Sequence, residues 1–111
     1  MQIAGKRFQA TNNSINGTLN NETILSFTKE DEVITGNYSG GTITTGNVIA
    51  KRLSPYELEM LYHGANTEGN IQAGFAKATF TRINDNKYQM DLDWQWLNGD
   101  KSDGQSRWIE I

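Results

Sequence analysis

The sequence predicts an all-β fold, an antiparallel up-and-down β-barrel of about eight strands, on three observations. Two stretches alternate at a strand's period of two. Tyr56, Leu58, Met60 and Tyr62 are separated by polar Glu57 and Glu59, and Tyr88, Met90, Leu92, Trp94 and Trp96 by Gln89, Asp91, Asp93 and Gln95. Polar turns rich in glycine and asparagine recur at short spacing along the whole chain. A meander of that many twisted strands leaves two open edges unless it closes on itself. A β-sandwich is the alternative with the same strands.

Taken in order, Ile3 to Thr11 alternates weakly through Phe8 and Ala10 and ends in an Asn-rich turn, Asn12 to Gly17. Glu22 to Lys29 is a strand with Ile24, Leu25 and Phe27, and the charged run Lys29 to Glu32 turns into Val33–Tyr38. Gly40-Gly41 turns the chain again, into a β-branched strand from Thr42 to Lys51. Gly46 inside that strand predicts a bulge or a barrel corner. The sole proline, Pro55, stands at the entrance of the 56–62 strand. His63 to Asn70 reads as a loop, and Ile71 to Ile83 as a long strand bent at Gly74. Asn84 to Lys87 closes the hairpin into the tryptophan strand. The polar run Asn98 to Gly104 then leads to a last strand carrying Trp108, Ile109 and Ile111. Residues 1–111 read as a single β-barrel domain.

Composition removes several classes of function. The net charge is -3 with lysines and arginines scattered singly, so no basic stripe exists to neutralise a phosphate backbone, and nucleic acid is not an expected partner. The absence of cysteine excludes disulfides, thiolate metal sites and thiol nucleophiles. No leader-like stretch and no apolar run approaching ~20 residues is present, which predicts a cytoplasmic protein with no membrane partner.

The pattern Tyr38-Ser39-Gly40-Gly41-Thr42-Ile43-Thr44-Thr45-Gly46, the element Met60-Leu61-Tyr62-His63 and the ending Trp94-Gln95-Trp96-Leu97-Asn98-Gly99-Asp100-Lys101-Ser102-Asp103-Gly104-Gln105-Ser106 resemble a family of short bacterial proteins often labelled N-acetylglutamate synthase. The resemblance spans most of the chain. It departs between Gly74 and Asp85, where this chain carries Ala76-Lys77-Ala78-Thr79-Phe80. The label implies an acetyltransferase, whose common fold grips the coenzyme's pyrophosphate at a glycine-rich turn opening a helix. The nearest stretch, Gln72-Ala73-Gly74-Phe75-Ala76, is one residue short and is followed by strand-forming residues. The architecture is also similar to calycin and avidin-like barrels, with Gln95-Trp96-Leu97 before a glycine-bearing loop resembling an avidin strand. That likeness implies a small ligand gripped by aromatic walls and a few polar groups, and association of barrels through their outer faces into a homo-oligomer.

Alternation places Tyr38, Asn47, Met60, Tyr62, Leu92, Trp94 and Trp96 on the inner face of a closed barrel. Tyr38, Asn47, Met60, Tyr62, Trp94 and Trp96 are accordingly the candidate ligand-binding residues, an apolar set with a few hydrogen-bonding tips. The competing reading is a filled barrel in which these aromatics are core, leaving a structural or interaction role for exposed strands or the 98–104 loop. No catalytic residue, metal ligand or cofactor is assigned. His63 is the sole histidine, so no triad or two-histidine site forms around it. Asn98, Asp100 and Ser102 start like a calcium loop, but the glycine falls at 104 and the twelfth position is Ile109. Asp91 and Asp93 lie opposite the tryptophans and read as solvated strand charges.

Overall fold

The computed structural model describes residues 1–13 and 22–111. Among them run eight strands: β1 (Arg7–Asn13), β2 (Ile24–Glu30), β3 (Ile34–Gly40), β4 (Ile43–Ser54), β5 (Glu57–Asn66), β6 (Ile71–Asn84), β7 (Lys87–Trp96) and β8 (Asp103–Glu110). Each pairs antiparallel with the next, and β8 returns to β1, so the sheet is a closed barrel. Closure leaves no edge with unpaired backbone groups. The expected turn at Asn12 to Gly17 lies largely outside the described residues. No helix among the described residues is long and apolar enough to cross a membrane.

Strand period sets which side chains enter the barrel. Along β7, Tyr88, Met90, Leu92, Trp94 and Trp96 are buried while Asp93 and Gln95 are exposed. Cross-strand register then assembles rows around the wall. One row is Gly36, Val48, Tyr62, Gly74 and Trp96; the next toward the opposite end is Ile34, Ala50, Met60, Ala76, Trp94 and Gly104. Small residues stand beside large ones, which is how a narrow barrel accommodates bulky side chains.

The two ends differ. At the lower end, where the β2–β3, β4–β5 and β6–β7 turns lie, Phe8, Phe27 and Phe80 meet with ring centroids 5.7–6.5 Å apart. The segment before β1 closes this end. Ile3 is fully buried, and Met1 packs against the core. Arg52 holds that segment: its Nε and Nη2 donate to Glu30 Oε2 at 2.9 and 2.6 Å, and Nη2 also donates to the Met1 carbonyl at 3.1 Å. Glu30 Oε1 in turn accepts from the Ile3 N–H at 3.3 Å.

Several elements depart from the sequence expectations. Strand β4 has a register irregularity between Ile43 and Thr45, ahead of Gly46, the glycine expected to mark a bulge. Strand β5 continues through His63 to Asn66, where a loop was expected. The turn instead starts at Asn66, whose Oδ1 accepts the Glu68 and Asn70 N–H groups, both at 3.0 Å. Gly74 brings no break, since β5 and β6 stay in register from Ile71 to Thr79. Tyr56 belongs to the β4–β5 turn, where it is exposed and its ring lies 6.2 Å from that of Tyr88.

Candidate ligand-binding site

Four aromatics from three strands form a continuous array at the upper end. Tyr38 on β3 meets Tyr62 on β5 edge-to-face at 6.2 Å, Tyr62 meets Trp96 on β7 at 5.5 Å, and Trp96 meets Trp94 at 6.0 Å. Glycines on the neighbouring strands make room for the tyrosines. A Cβ on Gly46 would run into the Tyr38 ring, one on Gly64 would lie 2.8 Å from the Tyr38 hydroxyl, and one on Gly74 would lie 2.6 Å from the Tyr62 hydroxyl. Each tyrosine therefore lies along the wall over a residue without a side chain.

Of the expected site residues, Tyr38, Met60, Trp94 and Trp96 are buried on the inner face and Tyr62 is half-buried. Asn47 does not join them. It is exposed, flanked by inward Gly46 and Val48, because the irregularity after Ile43 leaves both Thr44 and Thr45 outside and shifts the parity of the rest of β4. Met60 sits level with Trp94, separated from it by Ala76.

Ser102, weighed in the sequence with Asn98 and Asp100 as the start of a calcium-type loop, lies in a turn that packs on β7. Its carbonyl accepts the Trp96 N–H at 2.9 Å, so the β7–β8 loop folds back against the tryptophan strand. Asn98 pins the same loop to β6: its Oδ1 accepts from the Ala73 N–H at 3.0 Å and its Nδ2 donates to the Ile71 carbonyl at 2.8 Å. Nothing in a lone serine between charged residues announces a position beside the site. Only the loop's fold reveals it.

The buried side chains of this end are uncharged. Burial pushes the Tyr38 hydroxyl up to about 12 and raises that of Tyr62 further, with Tyr38 itself contributing, so both stay protonated. No charged side chain among the described residues is buried. Asp91 and Asp93 face outward as expected, but each has a partner: Asp91 accepts from Arg107 Nε and Asp93 from Gln105 Nε2, both at 2.9 Å. Asp100 is held below the ordinary carboxylate range by the Ser102 backbone N–H and then by the Ser102 hydroxyl, both donating to it.

Polar satisfaction is uneven between the tryptophans. Trp108 Nε1 donates to Ser106 Oγ at 2.9 Å inside the barrel. Trp94 Nε1 and Trp96 Nε1 are buried and have no hydrogen-bond partner. The family described as Avidin-like protein matches this sequence over residues 1–111. The chain belongs to that family. No curated protein and no solved structure matches it. In this avidin-like barrel the aromatic array and the wall glycines lie at the upper end, and the two unpartnered indoles belong to that array.

The outer wall carries a second feature. Ile49, Leu61 and Phe75 are direct cross-strand neighbours on β4, β5 and β6, and all three are exposed. An apolar groove of about 540 Å³ runs beside Ile49 and Leu61, with Leu97, Asn47 and His63 also lining it. His63 thus sits on a strand and outside the barrel.

Proposed function

We propose that this avidin-like barrel binds a small, partly apolar molecule at its upper end, against Tyr38, Tyr62, Trp94 and Trp96. The observation that carries the reading is the unpartnered pair of buried indole N–H groups on β7. A filled core leaves few such groups, because each costs about 1–3 kcal/mol when dehydrated without a partner. The lower end, packed with phenylalanines and closed by Ile3, shows what filling looks like in the same chain. A metabolite screen read by both tryptophan fluorescence and melting temperature tests the proposal. A ligand of the native state raises stability by RT ln(1 + [L]/Kd). Hits that move both signals, and lose affinity in Tyr62→Phe, support it; a broad library moving neither would leave the filled barrel.

A second reading concerns the outer face, and we propose that it joins two copies of this chain. Beside the apolar row, Lys51, Glu59, Lys77 and Asp93 follow one another across β4 to β7. That order, plus, minus, plus, minus, is complementary to itself about a two-fold axis running along the strands between β5 and β6. Such an axis sets Lys51 against Asp93, Glu59 against Lys77 and Leu61 against Phe75. Sedimentation should show a dimer that Leu61→Lys converts to monomer with the circular dichroism spectrum unchanged. A monomer in the unsubstituted protein at high concentration would refute it.

A further inference from the structure

The loop between β7 and β8 carries chemistry of its own, and we infer that Asn98 is a site of self-modification: its side-chain nitrogen is displaced by the backbone nitrogen of Gly99, and the loop then comes away from β6. The chain holds two Asn-Gly pairs; that at 16–17 lies outside the described residues, and that at 98–99 lies in this loop. A glycine nitrogen meets the least obstruction, because no Cβ stands beside it. At Gly99 a Cβ would find nothing within 4 Å, and the residue is exposed. Among the described residues its N–H has no hydrogen-bond partner, so nothing competes for the nitrogen. Asn66 provides the contrast within the same chain. Its side chain also closes a turn, but the next nitrogen, that of Thr67, donates to the Thr42 carbonyl at 2.9 Å.

The side-chain amide is polarised for the same reaction. Asn98 Oδ1 accepts from the Ala73 N–H at 3.0 Å, a donor set where negative charge gathers when a nucleophile adds to the side-chain carbon Cγ. Hydroxide removes the Gly99 N–H proton, the nitrogen bonds to Cγ, and the Cγ–Nδ2 bond breaks. Water returns the proton with which Nδ2 leaves as ammonia. Water then opens the cyclic imide at either carbonyl, giving aspartate or its β-linked isomer. The product cannot remake the attachment to β6. Asn98 Nδ2 donates to the Ile71 carbonyl at 2.8 Å, and an anionic oxygen in its place sets lone pairs against lone pairs. The Leu97 N–H donates to the Ala73 carbonyl and the Trp96 N–H to the Ser102 carbonyl, so release of the loop reaches the aromatic array.

Incubating the folded protein beside its urea-unfolded form at mildly alkaline pH tests this. Trypsin releases the peptide 88–101, whose gain in mass from amide to acid is followed in time and placed at residue 98 by its fragments. The folded protein should convert at a rate of the same order as the unfolded chain. Anion exchange then separates the converted protein by its added negative charge. In that fraction the amides of Ala73, Trp96 and Leu97 should exchange with deuterium at least about tenfold faster, while those of Phe27 and Phe80 at the lower end keep their protection. Asn98→Asp should show the same exchange without incubation, and Asn98→Gln, which has to close a larger ring, should stay unconverted. A folded protein that keeps its mass while the unfolded chain converts would overturn the reactive site. Converted protein with unchanged exchange at Ala73, Trp96 and Leu97 would overturn the release of the loop.

Discussion

Gly46 shows how much of this barrel depends on atoms that are absent. All three of its nearest would-be Cβ neighbours are ring atoms of Tyr38, the residue paired with it across β3 and β4. Gly46→Ala should therefore destabilise the protein by about 1–3 kcal/mol, the range for forcing an extra methyl into a packed site. Combined with Tyr38→Val, the same substitution should cost at least about 1 kcal/mol less than the sum of the two single changes. Denaturant titration of the four proteins measures both numbers, and additivity would mean that the ring is not what the glycine accommodates. The sequence made Gly46 conspicuous but suggested a bulge or a barrel corner and not room for a ring, because a glycine within a strand has several causes that look alike in one dimension. Inward parity was legible for Tyr38, Met60, Trp94 and Trp96, where alternation runs unbroken. It failed at Asn47 because an irregularity two to four residues earlier leaves no mark on the side chains themselves.

Among the elements, the segment Met1–Lys6 and β4 are coupled by a single side chain. Arg52 bridges Glu30 on β2, the Met1 carbonyl and the Pro55 carbonyl in the β4–β5 turn, the last at 2.9 Å. The guanidinium suits this place because its rigid fork serves several acceptors at once. Arg52→Met keeps most of the side chain's bulk and removes every donor. It should cost about 2 kcal/mol and expose the amides of Ile3 and Gly5 to rapid hydrogen exchange, leaving β6 and β7 protected. Unchanged protection at Ile3 would show that burial of its side chain alone closes this end. Sequence gave no hint of the bridge, since Glu30 and Arg52 lie 22 residues apart and each reads as a surface charge. Strand ends were similarly hard to read. His63-Gly64-Ala65-Asn66 has turn composition, yet Gly64 lies in the strand, paired with Gly46 and Gln72, and a glycine is needed there because a Cβ would meet the Thr45 carbonyl and the Tyr38 hydroxyl.

At the scale of the whole molecule the barrel has unlike ends, one packed with phenylalanines and closed by Ile3, the other lined by the array of Tyr38, Tyr62, Trp94 and Trp96. The all-β class, the strand count and the closure were legible because alternation and turn spacing are local signals. Which end would gather the tyrosines and tryptophans was not, because it depends on rows assembled from strands distant in sequence. The three methionines mark depth along this axis. Met1 packs at the closed lower end, Met90 pairs with Phe80 and Trp108, and Met60 lies level with Trp94. Their methyl resonances, labelled with carbon-13 and followed while a hit from the metabolite screen is titrated, test the central claim most directly. A molecule bound inside the upper end should shift the Met60 methyl and leave those of Met1 and Met90 in place. A ligand that raises the melting temperature while the Met60 methyl stays fixed would contradict the account.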